Sequence, residues 1–285
     1  MPRLDQELLA LGLARSRTQA AKLIAEGAVL IGGQPALKPS QLVSGDEQIT
    51  VRTSESNRYV SRAAYKLLGA LGSFPAISVL GERCLDAGAS TGGFSQVLLE
   101  AGAREVVAVD VGHGQLVPEL REDPRVQVHE GLNVRQLSAE QIGGQAGLTV
   151  ADLSFISLTL VIEPLAQATA PGGQLLLMVK PQFEVGRERL SKTGVVGSEQ
   201  ERRRAVQTVA EAARSAGLQL RGLASSSLPG QDGNVEYFLW LTKGESEGQS
   251  KLGVQEFLEE HWPAGEPGEQ AKKQIGKQAS RKVVG

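Results

Sequence analysis

Between Val60 and Lys243, short apolar runs alternate with stretches of helical periodicity, and that alternation leaves few folds open to the chain. The runs are Cys84-Leu85, Val106 to Val109, Val126 to Val128, Leu148 to Ala151, Gln174 to Val179, Leu218 to Ala224 and Val235 to Leu241. Helical stretches fit at Ser61 to Leu71, Gly93 to Ala101, Leu158 to Thr169 and Glu199 to Ala216. Strands that alternate with helices form a largely parallel sheet, because each parallel return needs a crossover long enough to hold a helix. The last two runs have no helix between them, which predicts an antiparallel hairpin at the sheet's end. The expected fold class is α/β: a seven-stranded sheet with helices on both faces, preceded by a small α+β domain.

That small domain is residues 1–52. Leu4, Leu8, Leu9, Leu11 and Leu13 open it with helical spacing. Ser16 or Thr18 stands where a cap belongs for a second helix carrying Ala20, Ala21, Leu23 and Ile24, and Gly27 can end it. Val29-Leu30-Ile31, Gly32-Gly33 and Gln48 to Val51 predict short strands joined by tight turns. Residues 53–59 are polar and aperiodic, a linker; 60–245 form the large domain. Residues 246–285 are a polar tail with one helix expected around Val254 to Glu260 and disorder beyond it. Lys272, Lys273, Lys277, Arg281 and Lys282 in that tail have no acid among them; they read as a solvated tail or as a phosphate-binding arm.

A net charge of −2 excludes a uniformly basic nucleic-acid binder but not a local basic face. Arg3, Arg15, Arg17 and Lys22 gather in the small domain, the last three assigned to its second helix, with Arg62 and Arg135 on the large one. Each is a candidate phosphate contact, and a solvated helix face is the other reading of the same charges. The lone Cys84 can form no internal disulfide, and His113, His129 and His261 lack ligand spacing, so no metal is expected. No apolar leader follows Met1, and Leu175 to Val179 is too short to cross a bilayer. The expectation is a cytoplasmic protein with no membrane partner.

The most informative loop is Asp86-Ala87-Gly88-Ala89-Ser90-Thr91-Gly92-Gly93-Phe94, which follows a strand and opens a helix. Small residues there let backbone approach a ligand, and the helix start offers free N–H groups. The dinucleotide fingerprint does not fit, because position 90 is Ser and Asp86 would crowd a pyrophosphate; an NAD-dependent oxidoreductase is thereby disfavoured. Asp110 ends the next strand, where an acid grips a ribose hydroxyl. Together these residues describe an adenosine-containing ligand with a cationic tail, for which S-adenosylmethionine is the candidate. Asn133 is placed either to reach the adenine edge or simply to make a turn.

Four further ionisable residues fall at ends of elements around the sheet: Lys66, Asp152, Lys180 and Glu236. Lys180 terminates the apolar run Leu175 to Val179, and a lysine buried there needs partners. Lys66 or Glu236 taken alone reads equally as a solvated charge.

The segments Ser61 to Leu67, Asp86 to Phe94, Val109 to Leu116, Asn133 to Arg135, Asp152 to Leu158, Val179 to Glu184 and Gly233 to Phe238 occur in order. Together they resemble the TlyA family, a branch of the FtsJ-like ribose methyltransferases, from about Arg3 to Leu241. The resemblance implies a Rossmann-like methyltransferase sheet and an N-terminal RNA-binding domain of the type named after small-subunit ribosomal protein four. It implies a Lys-Asp-Lys-Glu tetrad at Lys66, Asp152, Lys180 and Glu236, with Asp86, Gly88, Ala89, Ser90, Thr91, Gly92, Phe94, Asp110 and Asn133 around S-adenosylmethionine. The implied reaction is 2′-O-methylation of cytidine in ribosomal RNA, with rRNA or ribosomal subunits as partner. Members are often named haemolysins, but nothing in this sequence suggests membrane lysis; the alternative, a non-catalytic RNA-binding or membrane-active protein, would not need the tetrad.

Overall fold

The structure is a computed structural model that describes residues 1–14, 16–52, 58–186, 188, 190, 193–230, 232–244 and 252–263. The chain divides into two compact units, Met1–Tyr59 and Val60 onward. The linker residues 53–57, Arg15 and the basic residues of the tail lie outside the described residues.

In the first unit, α1 (Leu4–Ala10) and α2 (Arg17–Ala25) precede β1 (Val29–Ile31), β2 (Gln34–Pro35) and β3 (Ile49–Val51). The three strands pair antiparallel in the order β2-β1-β3. Ser16 caps α2, its hydroxyl accepting the Gln19 N–H at 3.1 Å. Gly32 and Gly33 form a two-residue hairpin turn with φ of 56° and 83°, the positive values that this turn demands. Leu4, Leu8, Leu23, Ile24 and Val29 make the core. Leu9 and Leu11 do not join it: Leu11 lies past the end of α1 and is 51% exposed.

The second unit adds α3 (Ala63–Ser73), β4 (Arg83–Ala87), α4 (Gly93–Glu100), β5 (Glu105–Asp110), α5 (Pro118–Arg121), β6 (Val126–Glu130) and β7 (Ala146–Ala151). Then come α6 (Ile162–Ala168), β8 (Thr169–Val179), α7 (Pro181–Glu184), α8 (Glu199–Ser215), β9 (Leu218–Ser225), β10 (Tyr237–Lys243) and α9 (Val254–His261). The seven strands run β6-β5-β4-β7-β8-β10-β9, parallel except for β10, which pairs antiparallel with both β8 and β9. Every residue of β4 is buried, as a strand covered on both faces must be. On one side Leu85, Val107 and Leu177 pack with Leu165 of α6 and Val206 and Val209 of α8. On the other, Phe238 stacks on Phe94 of α4, ring centroids 6.2 Å apart.

Three details depart from the sequence expectation. The helix read at Leu158 to Thr169 is a 3₁₀ turn, Leu158–Leu160, followed by α6. Pro164 fits only the first turn of a helix, where its missing N–H costs nothing, so α6 starts at Ile162. β8 begins at Thr169, earlier than the apolar run, through a Gly-containing segment that periodicity does not register. The short helices α5 and α7, each four residues with Pro first, are too brief to show a period.

Candidate active site

The strand order reverses between β4 and β7, and ligands of such sheets bind beyond the carboxyl ends of the strands at that switch point. The loop after β4 lies there. Gly88 and Ala89 both donate N–H to Val109 O, at 2.8 and 3.1 Å, which curls the loop over the end of β5. Gly88 has φ of 87°, and a Cβ on it would sit 2.8 Å from the Asp152 carbonyl oxygen, so no other residue fits. Ser90 is also left-handed, φ 48°, and is held by its N–H, which donates to Asp110 Oδ2 at 2.8 Å. Asp110 Oδ1 accepts the Gly112 N–H at 2.7 Å. Asp110 thus shapes the loop as well as bordering it.

One cleft is lined by Gly88, Ala89, Ser90, Thr91, Gly93 and Phe94 together with Ser61, Ala63, Asp152, Ser154 and Lys180. Asp86 lies outside that lining and is fully buried. Its Oδ2 accepts the Ser95 hydroxyl at 2.7 Å, while Oδ1 has no hydrogen-bond partner among the described residues. Burial pushes the Asp86 carboxyl up to about 7, with the charges of Asp152 and Asp110 adding to the rise and Ser95 opposing it. Gly92 serves as the N-cap of α4 and does not line the cleft. Asn133 is exposed and uses Oδ1 to accept the Arg135 N–H at 3.0 Å, capping the 3₁₀ turn Val134–Gln136; this is the turn geometry.

Asp86 carries a pH prediction for the ligand-free protein. Its folded pKa of about 7 lies above the ordinary 3.8, so between those values the folded state keeps a proton that the unfolded chain has lost. Stability therefore falls as pH rises through that window, and the penalty is complete above it. Asp86→Asn, neutral at every pH, should raise the thermal midpoint at pH 8 and leave it nearly unchanged at pH 4. Equal effects at both pH values would show that the buried carboxylate is not the cause.

The four candidate catalytic residues form two ion pairs. Lys180 caps α7 at the end of β8; its Nζ lies 2.6 Å from Asp152 Oδ1, just past β7, and donates to Ser154 Oγ at 3.0 Å. Lys66, on α3, donates from Nζ to Glu236 Oε2 at 2.6 Å. Glu236 reaches this place through register: Tyr237 on β10 pairs with Val179 on β8, so the residue before one stands opposite the residue after the other. Gln182, on α7, adds a contact to the second pair, its Nε2 donating to Glu236 Oε1 at 3.4 Å. Side-chain exposures are 11% for Lys66, 2% for Glu236, 9% for Lys180 and 15% for Asp152, so all four charges are largely removed from water. Ser154, Gln182, Phe155 and Phe183 carry no assignment from sequence, although each lies within a segment quoted above. Phe155 is 92% exposed with φ of 64°, and its ring sits 5.4 Å from that of Phe183. Lys180 Nζ lies 6.0 Å from the Phe183 ring centre.

The basic candidates fall in both units. In the first unit Arg3 and Arg17 flank Asp5, at 3.0 and 2.8 Å, and hold its carboxyl down to about 2. Asp5 is buried while the two guanidiniums are 42% and 58% exposed, so both arginines brace the fold as well as facing solvent. Lys22 pairs with Glu26 at 3.7 Å across one helical turn. In the second unit Arg62 and Arg135 are exposed. Arg17 opens α2 and Lys22 sits within it, while Arg15 lies outside the described residues.

An FtsJ-like methyltransferase model matches residues 59–243, and an S4 domain model matches residues 2–49. The 16S/23S rRNA (cytidine-2′-O)-methyltransferase TlyA of Mycobacterium tuberculosis is 51% identical over 254 residues, covering 89% of this chain and 94% of its own. Hemolysin A of Brachyspira hyodysenteriae is 34% identical over 82% of this chain and 97% of its own. A solved structure from Streptococcus thermophilus, titled as a candidate hemolysin, superposes with a TM-score of 0.68 at 34% identity, covering 98% of both chains. Among the described residues no helix is long and apolar enough to cross a membrane. With the methyltransferase fold, the cleft at its switch point and these relatives together, the chain belongs to the FtsJ-like methyltransferase family, in its TlyA branch.

Proposed function

We propose that this protein transfers a methyl group from S-adenosylmethionine to the 2′-hydroxyl of a cytidine ribose in ribosomal RNA, in the cytoplasm. The observation that carries the reading is the pair of lysine–carboxylate contacts: Lys180 with Asp152, both lining the glycine-bordered cleft, and Lys66 with Glu236, the residue that register places opposite Lys180. The relatives' names add the substrate class.

The residues present fit the cofactor. Asp86 Oδ1 is a buried acceptor with no partner among the described residues, and Gly88 and Gly92 let the loop pass against Asp152 and Leu120, where a Cβ would clash, so that Gly88, Ala89, Ser90 and Thr91 border the cleft. Gly88, Ala89, Ser90, Thr91 and Phe94, which line the cleft, would hold the methionine portion and Asp110 would take the ribose hydroxyls, while Asp86 and Gly92 would shape the loop without lining it and Asn133 would meet the adenine only from its turn. When bound, S-adenosylmethionine supplies a methyl on a cationic sulfur and departs neutral.

The demand on the protein is therefore the weak nucleophile. Alignment of the hydroxyl with the methyl supplies several kcal/mol of rate on its own. Lys180 Nζ, in its neutral form, takes the hydroxyl proton, or as an ammonium holds the oxygen while that proton leaves to water, and Asp152 and Ser154 fix where the nitrogen points. Glu236 fixes Lys66 in the same way. Phe155 offers an open aromatic face to an unstacked base. Arg3, Arg15, Arg17 and Lys22 of the first unit, with Arg62 and Arg135 of the second, contact RNA phosphates.

Calorimetry tests the cofactor. S-adenosylmethionine should bind and NAD should not, and Asp110→Ala should weaken binding by about 1–3 kcal/mol through unpaired polar groups and a loosened Ser90. Tight NAD binding, or unchanged affinity in Asp110→Ala, would contradict the assignment.

A further inference from the structure

Glu184 stands outside the four candidate catalytic residues, yet its carboxylate joins the two segments that carry Asp152 and Lys180. Oε2 accepts the Ser157 hydroxyl at 2.5 Å, and Oε1 accepts the Leu158 N–H at 2.9 Å. Ser157 in turn caps the 3₁₀ turn Leu158–Leu160, its Oγ accepting the Thr159 N–H at 3.1 Å. One end of this clamp is α7, whose N-cap is Lys180. The other end is the segment that leaves β7 through Asp152 and Ser154. Between Asp152 and Ser157 lies Phe155 in the left-handed region, a conformation that persists for a bulky residue only where its surroundings over-determine the backbone. The two Glu184 bonds anchor that backbone immediately downstream. Burial raises the Glu184 carboxyl above its ordinary value, against the pull of both donors, so the fold places a carboxylate here where one is costly.

We propose that Glu184 is a positioning residue for methyl transfer: it locks the segment from Asp152 to Ser157 against α7, so that Asp152, Ser154 and Lys180 keep one mutual geometry. The proposal rests on the methyl-transfer reading above. It separates Glu184 from residues that touch cofactor or RNA, because neither of its oxygens lines the cleft.

The test measures single-turnover methyl transfer at saturating S-adenosylmethionine and RNA, together with the Kd of each. Glu184→Ala should lose on the order of 10-fold in rate, since small misplacements of reacting groups are costly, while both Kd values stay within about 2-fold. Glu184→Gln keeps an oxygen for the Leu158 N–H and offers an amide to the Ser157 oxygen, so it should restore the rate to within about 3-fold of wild type. Ser157→Ala removes one of the two bonds and should fall between; it carries the test if Glu184→Ala does not fold. A wild-type rate in Glu184→Ala or Ser157→Ala overturns the proposal. So does a loss that appears only in Kd, or an equal loss in the Gln and Ala variants. Lys180→Met, assayed in parallel, separates the two readings: its retaining full activity refutes the underlying chemistry, whereas its inactivity beside a fully active Glu184→Ala refutes the clamp alone.

Discussion

Lys180→Met should fold, bind S-adenosylmethionine and RNA, and lose at least about 100-fold in methyl transfer, the lower range for a positioned acid–base group. Methionine keeps most of the side-chain volume at the end of β8 and removes the amine. The amine is the group that Asp152 and Ser154 hold from two sides, 2.6 and 3.0 Å away, at the edge of the cleft. The orphaned Asp152 Oδ1 is buried, but the Asp152 side chain as a whole keeps 15% exposure against 2% for Glu236, so the stability cost should be smaller than that of stranding Glu236. Single-turnover kinetics with saturating ligands isolates the effect on chemistry from binding. A rate close to wild type would falsify the assignment of Lys180.

Lys66→Met should behave differently, with a large loss of stability beside the loss of activity. Its partner Glu236 is 2% exposed, and Gln182, at 3.4 Å, is a weak substitute for an ammonium at 2.6 Å. Removing one member of a buried pair leaves an uncompensated charge, at about 3–5 kcal/mol. Combining Lys66→Met with Glu236→Gln removes that charge and should recover most of the stability without restoring methyl transfer. Chemical denaturation of the single and double variants checks this. If the double variant is no more stable than Lys66→Met, the cost comes from packing and not from the stranded carboxylate.

The contrast between these two lysines shows what the sequence could and could not disclose. The central strands β4, β5, β7 and β8 were legible because each carries a near-continuous apolar run buried on both faces, whereas the edge strands β6 and β9 were legible by alternation, as in Val126-Gln127-Val128 and Leu218-Gln219-Leu220. The glycine loop was legible because its residues are neighbours in sequence. The pairing of Lys66 with Glu236 was not readable as a contact, because it spans 170 positions and depends on the antiparallel register of β10 on β8. Glu184 and Gln182 were hidden for a related reason: α7 is a single Pro-initiated turn with no period to place its faces. Asp86 shows a different limit. Its position before the glycines suggested direct contact with a ligand, but pattern cannot distinguish a carboxylate that lines a cleft from one buried beneath it. For Arg3 and Arg17, charge in the sequence gave no sign of the buried Asp5 that each also serves.

The measurement that bears most directly on the central claim is the position of the transferred methyl. The protein is incubated with ribosomal subunits and methyl-labelled S-adenosylmethionine, the RNA is recovered, and one half is digested with alkali and the other to nucleosides. A 2′-O-methyl blocks alkaline cleavage at its own nucleotide, so label should appear in alkali-resistant dinucleotides and as 2′-O-methylcytidine. The Lys180→Met protein should leave both fractions unlabelled. Label confined to a methylated base, or RNA left unlabelled by a wild-type protein that binds the cofactor, would contradict ribose methylation by this site.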